Sequence, residues 1–185
     1  MNELPPDLSA SSEFTPLSWQ TTARMNILVI DDEPANVALL EGVLSDHGYT
    51  RIQSVTDARR ALETCREFQP DLILLDLMMP HVDGLTILQS IRAEETTVFL
   101  PVLVLTADVA EETKLRALRA GATDFLLKPF DQFEALLRIG NLLEIRRLHV
   151  QLDTQRGAFE EALHARTSEL RDARQELAQH SWRGE

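Results

Sequence analysis

The chain has 185 residues, enough for one compact domain with a full hydrophobic core and too few for two ordinary domains. Lys+Arg 18 against Asp+Glu 30 gives a formal net charge of -12, which disfavours direct nucleic-acid or membrane-surface binding, since both need a basic face. One cysteine, Cys65, leaves no intrachain disulfide, and no apolar run is long enough to span a bilayer or act as a signal segment, so the expected location is cytoplasmic.

Residues 1–24 mix Pro5, Pro6 and Pro16 with serines and show no sustained period, which predicts a flexible leader. From Met25 the pattern changes. Apolar runs at Ile27 to Ile30, Ile52 to Val55, Leu72 to Leu75, Val102 to Leu105 and Phe125 to Leu127 predict strands, and the segments between them carry helical stripes such as Val37, Leu40, Leu44 and Leu85, Leu88, Ile91. Strands without inside-outside alternation, separated by helices, imply a parallel sheet covered on both faces. The fold class is therefore α/β with a doubly wound, five-stranded parallel sheet. Cys65 falls on the stripe Ala58, Ala61, Leu62, Cys65 and reads as a buried structural thiol. Gly48 and Gly121 stand where left-handed helix caps fall.

Beyond Asp131 the helical pattern continues. With Leu142 at heptad position a, the a and d positions are Leu142, Ile145, His149, Leu152, Arg156, Phe159, Leu163, Arg166, Leu170, Ala173, Leu177 and His180. The apolar members predict a coiled coil with a core of Leu142, Ile145, Leu152, Phe159, Leu163, Leu170 and Leu177, while the polar members weaken it. Glu169 and Arg174 take the g and following e positions that pair between parallel chains. A helix from Asp131 to His180 would extend about 75 Å, more than a compact domain covers, so it needs a partner. Gly140 and Gly157 each weaken it by roughly 1 kcal/mol, which leaves room for a joint, and a solvated, partly frayed helix is the alternative. The predicted organisation is a leader at 1–24, a domain at 25–145 and a helical extension at 146–185.

Ligands of doubly wound sheets bind beyond the carboxyl ends of the strands. There the chain places Asp31 and Asp32, then Asp76, then Thr106, then Lys128 followed by Pro129. Converging carboxylates repel unless a cation neutralises them, and an all-oxygen set suits Mg2+. One carboxylate can then attack phosphorus while the metal and the Lys128 ammonium stabilise the equatorial oxygens, with the Thr106 hydroxyl as a further donor. Each residue alone could be a cap or an exposed side chain. Five of the required types at successive strand ends are harder to explain that way.

At this point the sequence resembles the response-regulator receiver (CheY-like) family, through Asp31-Asp32 after NILVI, Asp76 in LILLDLMMPHVDG, Thr106-Ala107 after PVLVL, and Lys128-Pro129-Phe130. The resemblance covers about residues 25–145 and implies a flavodoxin-like sheet order 2-1-3-4-5. It also implies that Asp76 accepts a phosphoryl group and that Mg2+ is held by Asp32, Asp76 and the Met78 carbonyl, with Asp31 acting through a metal-bound water. Lys128, Thr106 and Ala107 would bind the phosphoryl group, Phe125 would be the aromatic coupled to Thr106, Pro129 would follow a cis peptide, and Gly84 would be the loop glycine. His81 reads as a solvent-facing loop residue. Met78, two residues after the acceptor, carries no polar group to orient water, which predicts slow self-dephosphorylation.

The resemblance implies a sensor histidine kinase or histidine phosphotransfer protein as donor. Output is expected through the face of the fourth helix, fifth strand and fifth helix, in a homodimer joined by that face and the C-terminal helix. The chain is then a phosphoacceptor switch and not an enzyme. Three alternatives stay open: the regulatory front piece of an enzyme of cyclic di-GMP turnover, a phosphate-independent scaffold, and a phosphatase of the haloacid-dehalogenase class. The last wants a second Asp two residues after its nucleophile, where Asp76 has Met78 and Asp31 has Glu33.

Overall fold

The computed structural model describes residues 21–80, 82–94 and 97–181, with side chains up to 168 and again at 170 and 171. The predicted leader up to residue 20, the His81 loop position, and the side chains of Glu169, Ala173, Arg174, Leu177 and His180 lie outside the described residues. Residues 21–24, placed with the leader on sequence, are held against the domain: Thr22 is buried, and the Thr50 N–H donates to the Ala23 carbonyl at 3.2 Å.

Five parallel strands, β1 (Ile27–Ile30), β2 (Ile52–Val55), β3 (Leu72–Asp76), β4 (Val102–Thr106) and β5 (Asp124–Leu127), pair in the order β2-β1-β3-β4-β5. The three inner strands are buried at every residue, as helices on both faces require. Alternate residues serve opposite layers. Leu28, Ile30, Ile73, Leu75, Val102 and Val104 meet α2 (Ala61–Phe68), α3 (Gly84–Ala93) and Ala117 of α4 (Glu111–Arg119). Ile27, Val29, Leu72, Leu74, Leu103 and Leu105 meet α1 (Pro34–Asp46) and the first turns of α5 (Gln132–Ser181).

The helices begin and end for local reasons. Pro34 opens α1, where its missing N–H costs nothing. Asp83 Oδ1 accepts the Leu85 N–H at 3.0 Å to cap α3, and Asp131 Oδ1 accepts those of Phe133 and Glu134 at 2.9 and 3.1 Å to cap α5. Gly48 and Gly121 have φ of +86° and +103°, the left-handed caps expected of them.

The structure corrects the predicted coiled-coil core at its first member. Leu142 is 5% exposed and packs with Ala135, Leu136, Ile139 and Leu143 against the sheet. These residues repeat at the three- and four-residue spacing of a helix face buried in its own domain. Two compact units divide the chain, Met1–Arg146 and Arg147–Glu185. In the second unit Leu152, Phe159, Leu163 and Leu170 are all more than half exposed, and so is Ile145 at the end of the first. No helix among the described residues is long and apolar enough to cross a membrane.

Candidate functional site: an acidic cluster at the strand ends

β1 ends one residue before Asp31, β3 ends on Asp76 and β4 on Thr106, and β5 runs out one residue before Lys128. Parallel pairing in register brings these ends together. Asp31, Asp32 and Asp76 each place a carboxylate oxygen within 4.8 Å of the others. Asp31 is fully buried, Asp76 nearly so, and Asp32 partly open.

Lys128 Nζ donates to Asp31 Oδ2 at 2.6 Å and stands 3.3 Å from Asp76 Oδ1. Asp31 is further occupied by the Glu33 N–H at 3.0 Å and by Asn36 Nδ2, which lies 3.1 and 3.2 Å from its two oxygens. With these partners Asp31 is fixed in place, and Asp32 and Asp76 keep the more available oxygens. Burial pushes the Asp76 carboxyl above the usual carboxylate range, the Asp31 charge pushes the same way, and Lys128 opposes both. A cation entering among the three carboxylates removes that penalty. The cluster is the right size and hardness for an octahedral, oxygen-ligated ion such as Mg2+.

Around this centre the loops are tied by backbone contacts. The Met78 N–H donates to the Asp76 carboxylate, while the Met78 side chain is 64% exposed. The Gly84 N–H donates to the Leu77 carbonyl at 3.2 Å, and a Cβ built on Gly84 would collide with the Asp76 carbonyl oxygen and lie 2.7 Å from Leu77 Cα. Only glycine lets α3 approach the loop after Asp76 this closely. The Lys128-Pro129 peptide is cis, and the Lys128 N–H donates to the Thr106 carbonyl at 2.8 Å. Phe125 is partly buried against the layer under α3 and α4, with Lys114 Nζ 5.1 Å from its ring centroid. Beside the cluster, Asn36, Leu39, Leu40, Ala107, Lys128, Pro129 and Phe130 line a cavity of about 330 Å³.

Asn36, Asp108, Thr113 and Lys114 are additions that the sequence reading did not single out. Asn36 lies five residues after Asp31, in the first turn of α1, so its proximity could have been read from spacing once the helix was assigned.

Residues 27–139 match the response regulator receiver domain, and the chain belongs to that family. Over 117 residues it is 44% identical to the "DNA-binding dual master transcriptional regulator RpaA" of Synechocystis sp., a match that takes in 63% of this chain and 48% of RpaA. Over 120 residues it is 38% identical to "Response regulator PleD" of Caulobacter vibrioides, taking in 65% of this chain and 26% of PleD. The chain thus spans half or less of the length of these relatives. Among solved structures, the receiver domain of sensor histidine kinase PA1611 from Pseudomonas aeruginosa superposes with a TM-score of 0.60 at 30% identity, over 65% of this chain and 98% of that one. That structure is described as having a magnesium ion coordinated in its active-site cleft. A response-regulator structure from Chloroflexus aurantiacus gives a TM-score of 0.62 at 32% identity over 65% of this chain and 98% of that one.

Proposed function

We propose that this receiver accepts a phosphoryl group on Asp76 and reports it through the face of α4, β5 and α5 and through a dimerising C-terminal helix. The observation that carries the first half is the convergence of Asp31, Asp32 and Asp76 within 4.8 Å, with Lys128 Nζ at 2.6 Å from Asp31 and 3.3 Å from Asp76. An Asp76 oxygen attacks the phosphorus of a phosphohistidine, the P–N bond breaks, and its electron pair leaves with the imidazole of a histidine kinase or phosphotransfer protein. Mg2+, when held by Asp32, Asp76 and the Met78 carbonyl with Asp31 acting through water, supplies neutralisation of the phosphoryl oxygens. Lys128 moves from carboxylate to phosphoryl oxygen, and Thr106 donates its hydroxyl to another, joined by the Ala107 N–H. Self-dephosphorylation requires water positioned for attack on phosphorus, and the exposed thioether of Met78 does not position it. The phosphoryl group is therefore expected to persist for minutes or longer, and decay within seconds, measured by loss of label after donor removal, would contradict that.

The second half rests on exposed apolar surface. α4 exposes Leu115 and Leu118, and the first turns of α5 expose Phe133 and Leu137. Further along α5 the exposed residues Ile145, Leu148, Leu152, Phe159, Leu163 and Leu170 share one stripe, and a second copy would cover it. The intervals 148 to 159 and 159 to 170 are both eleven residues, close to three full helical turns, so these side chains fall on one face. Leu142 is excluded from this seam because the sheet already covers it.

The net charge of -12 disfavours nucleic-acid contact by this chain. The test is light scattering with acetyl phosphate or beryllofluoride plus Mg2+, against Asp76→Asn. A mass or shape change that needs Asp76 supports both halves. Incorporation without any dimer removes the helix-borne output, and failure to incorporate removes the phosphoacceptor reading.

A further inference from the structure

The loop from Thr106 to α4 is held by polar contacts and very little else. Ala107, Val109 and Ala110 are exposed, Val109 by 72%, and Ala117 is the only residue of α4 that is buried. Four hydrogen bonds run through this segment in sequence. The Asp108 N–H donates to Thr106 Oγ1 at 3.1 Å, and Lys128 N–H holds the Thr106 carbonyl at 2.8 Å from the other side. Asp108 Oδ1 accepts the Ala110 N–H at 2.8 Å, and Asp108 Oδ2 accepts the Thr113 hydroxyl at 2.6 Å. One carboxylate therefore fastens the first turn of α4 to the residue whose own N–H holds the Thr106 oxygen. The next residue along, Lys114, lies over the face of Phe125.

We infer that Asp108 and Thr113 are positioning residues of the switch, a latch that holds the Thr106 loop and the start of α4 in the resting arrangement and must open for Thr106 to reach a phosphoryl group on Asp76. The inference rests on the phosphoacceptor reading above. Its physical basis is that a Thr106 oxygen displaced toward Asp76 leaves the Asp108 N–H behind. Either that bond breaks, or Asp108 follows and pulls on Ala110 and Thr113. In the second case α4 rotates at its first turn and carries Lys114 off the Phe125 ring, freeing the aromatic to turn inward. The apolar contacts of α4 are too few to resist that movement, so the latch sets the resting population. Since a donor or phosphate mimic that favours the displaced form works against this population, weakening the latch raises the fraction ready to react.

Thr113→Val removes the hydroxyl and Asp108→Ala the carboxylate, while Thr113→Ser keeps the bond. With acetyl phosphate and Mg2+, the first two variants are expected to incorporate phosphoryl groups about 2- to 10-fold faster than the parent chain, the range one ordinary hydrogen bond provides, and Thr113→Ser is expected to match the parent. Without phosphate, the amide resonances of Thr106 and Phe125 in Thr113→Val should move along the line joining their positions in the free and beryllofluoride-bound parent chain. A merely structural cap would instead displace residues 110–114 off that line and leave Thr106 and Phe125 at their free positions. That result overturns the latch, as does an unchanged or slower incorporation rate in both variants. A parent chain that takes up no phosphoryl group at all would defeat the phosphoacceptor reading itself, so the two failures are distinguishable.

Discussion

Two residues of the site carry consequences that can be measured without any partner. At Gly84 the obstruction to a side chain is backbone, the carbonyl of Asp76 and the Cα of Leu77, so it cannot rotate away. Gly84→Ala is expected to destabilise the domain by about 1–3 kcal/mol, as overpacking does, and, where Asp76 takes the phosphoryl group as proposed, to slow that reaction because the Asp76 peptide is displaced. Thermal denaturation and acetyl-phosphate kinetics check the two effects separately. Asp76 carries a folded pKa above its unfolded value, chiefly through burial. Between the two values the native chain binds more protons than the unfolded chain, so in chelator the stability falls as pH rises through that interval and stays lower above it. Asp76→Asn is accordingly expected to be more stable than the parent at neutral pH, and the gap should shrink in acid or on adding Mg2+. The five residues at the strand ends were legible because each follows an apolar run. Asp108 and Thr113 were not, because an aspartate in a loop ahead of a helix looks like any cap until its hydrogen bonds are seen.

At the scale of elements, the apolar runs located every strand to within a residue or two, and for the three inner strands burial on both faces leaves no ambiguity of phase. The helices differ in how firmly they are held. α2, α3, α1 and the first turns of α5 each bury several side chains, whereas α4 buries Ala117 alone. A switch built on this sheet moves where attachment is weakest. α2 is the opposite case. Cys65 is 4% exposed, and burial, aided by Glu94 and opposed by Arg66, pushes its thiol up to about 11. Only the thiolate reacts, so alkylation of Cys65 at mildly alkaline pH is expected to be negligible in the native protein and complete in denaturant. Rapid modification of the folded chain, followed by mass spectrometry, would show that α2 opens far more readily than its packing implies.

For the whole molecule the informative feature is that one helix, α5, runs through both compact units and changes its task along the way. Sequence periodicity alone could not locate the change, since Leu142 and Ile145 are heptad neighbours and both apolar. What separates them is whether a sheet stands opposite: Leu142 is 5% exposed and Ile145 is 58% exposed. The difference predicts opposite phenotypes for substitutions that the heptad treats alike. Leu142→Ala removes a buried side chain from the receiver core and should cost about 2–5 kcal/mol of domain stability. Phe159→Ser removes an exposed side chain and should leave the receiver's denaturation midpoint unchanged, while lowering the solution mass wherever a second copy covers the stripe. Gly157 stands in the same helix, with nothing within 4 Å of an added Cβ. Gly157→Ala should raise helicity by circular dichroism through a propensity gain of about 1 kcal/mol, without altering the residues of the seam. If Phe159→Ser and Leu142→Ala both lower receiver stability, α5 is one packed body from end to end. If only Leu142→Ala does, Phe159 contributes nothing to receiver stability although it lies on the same helix as Leu142.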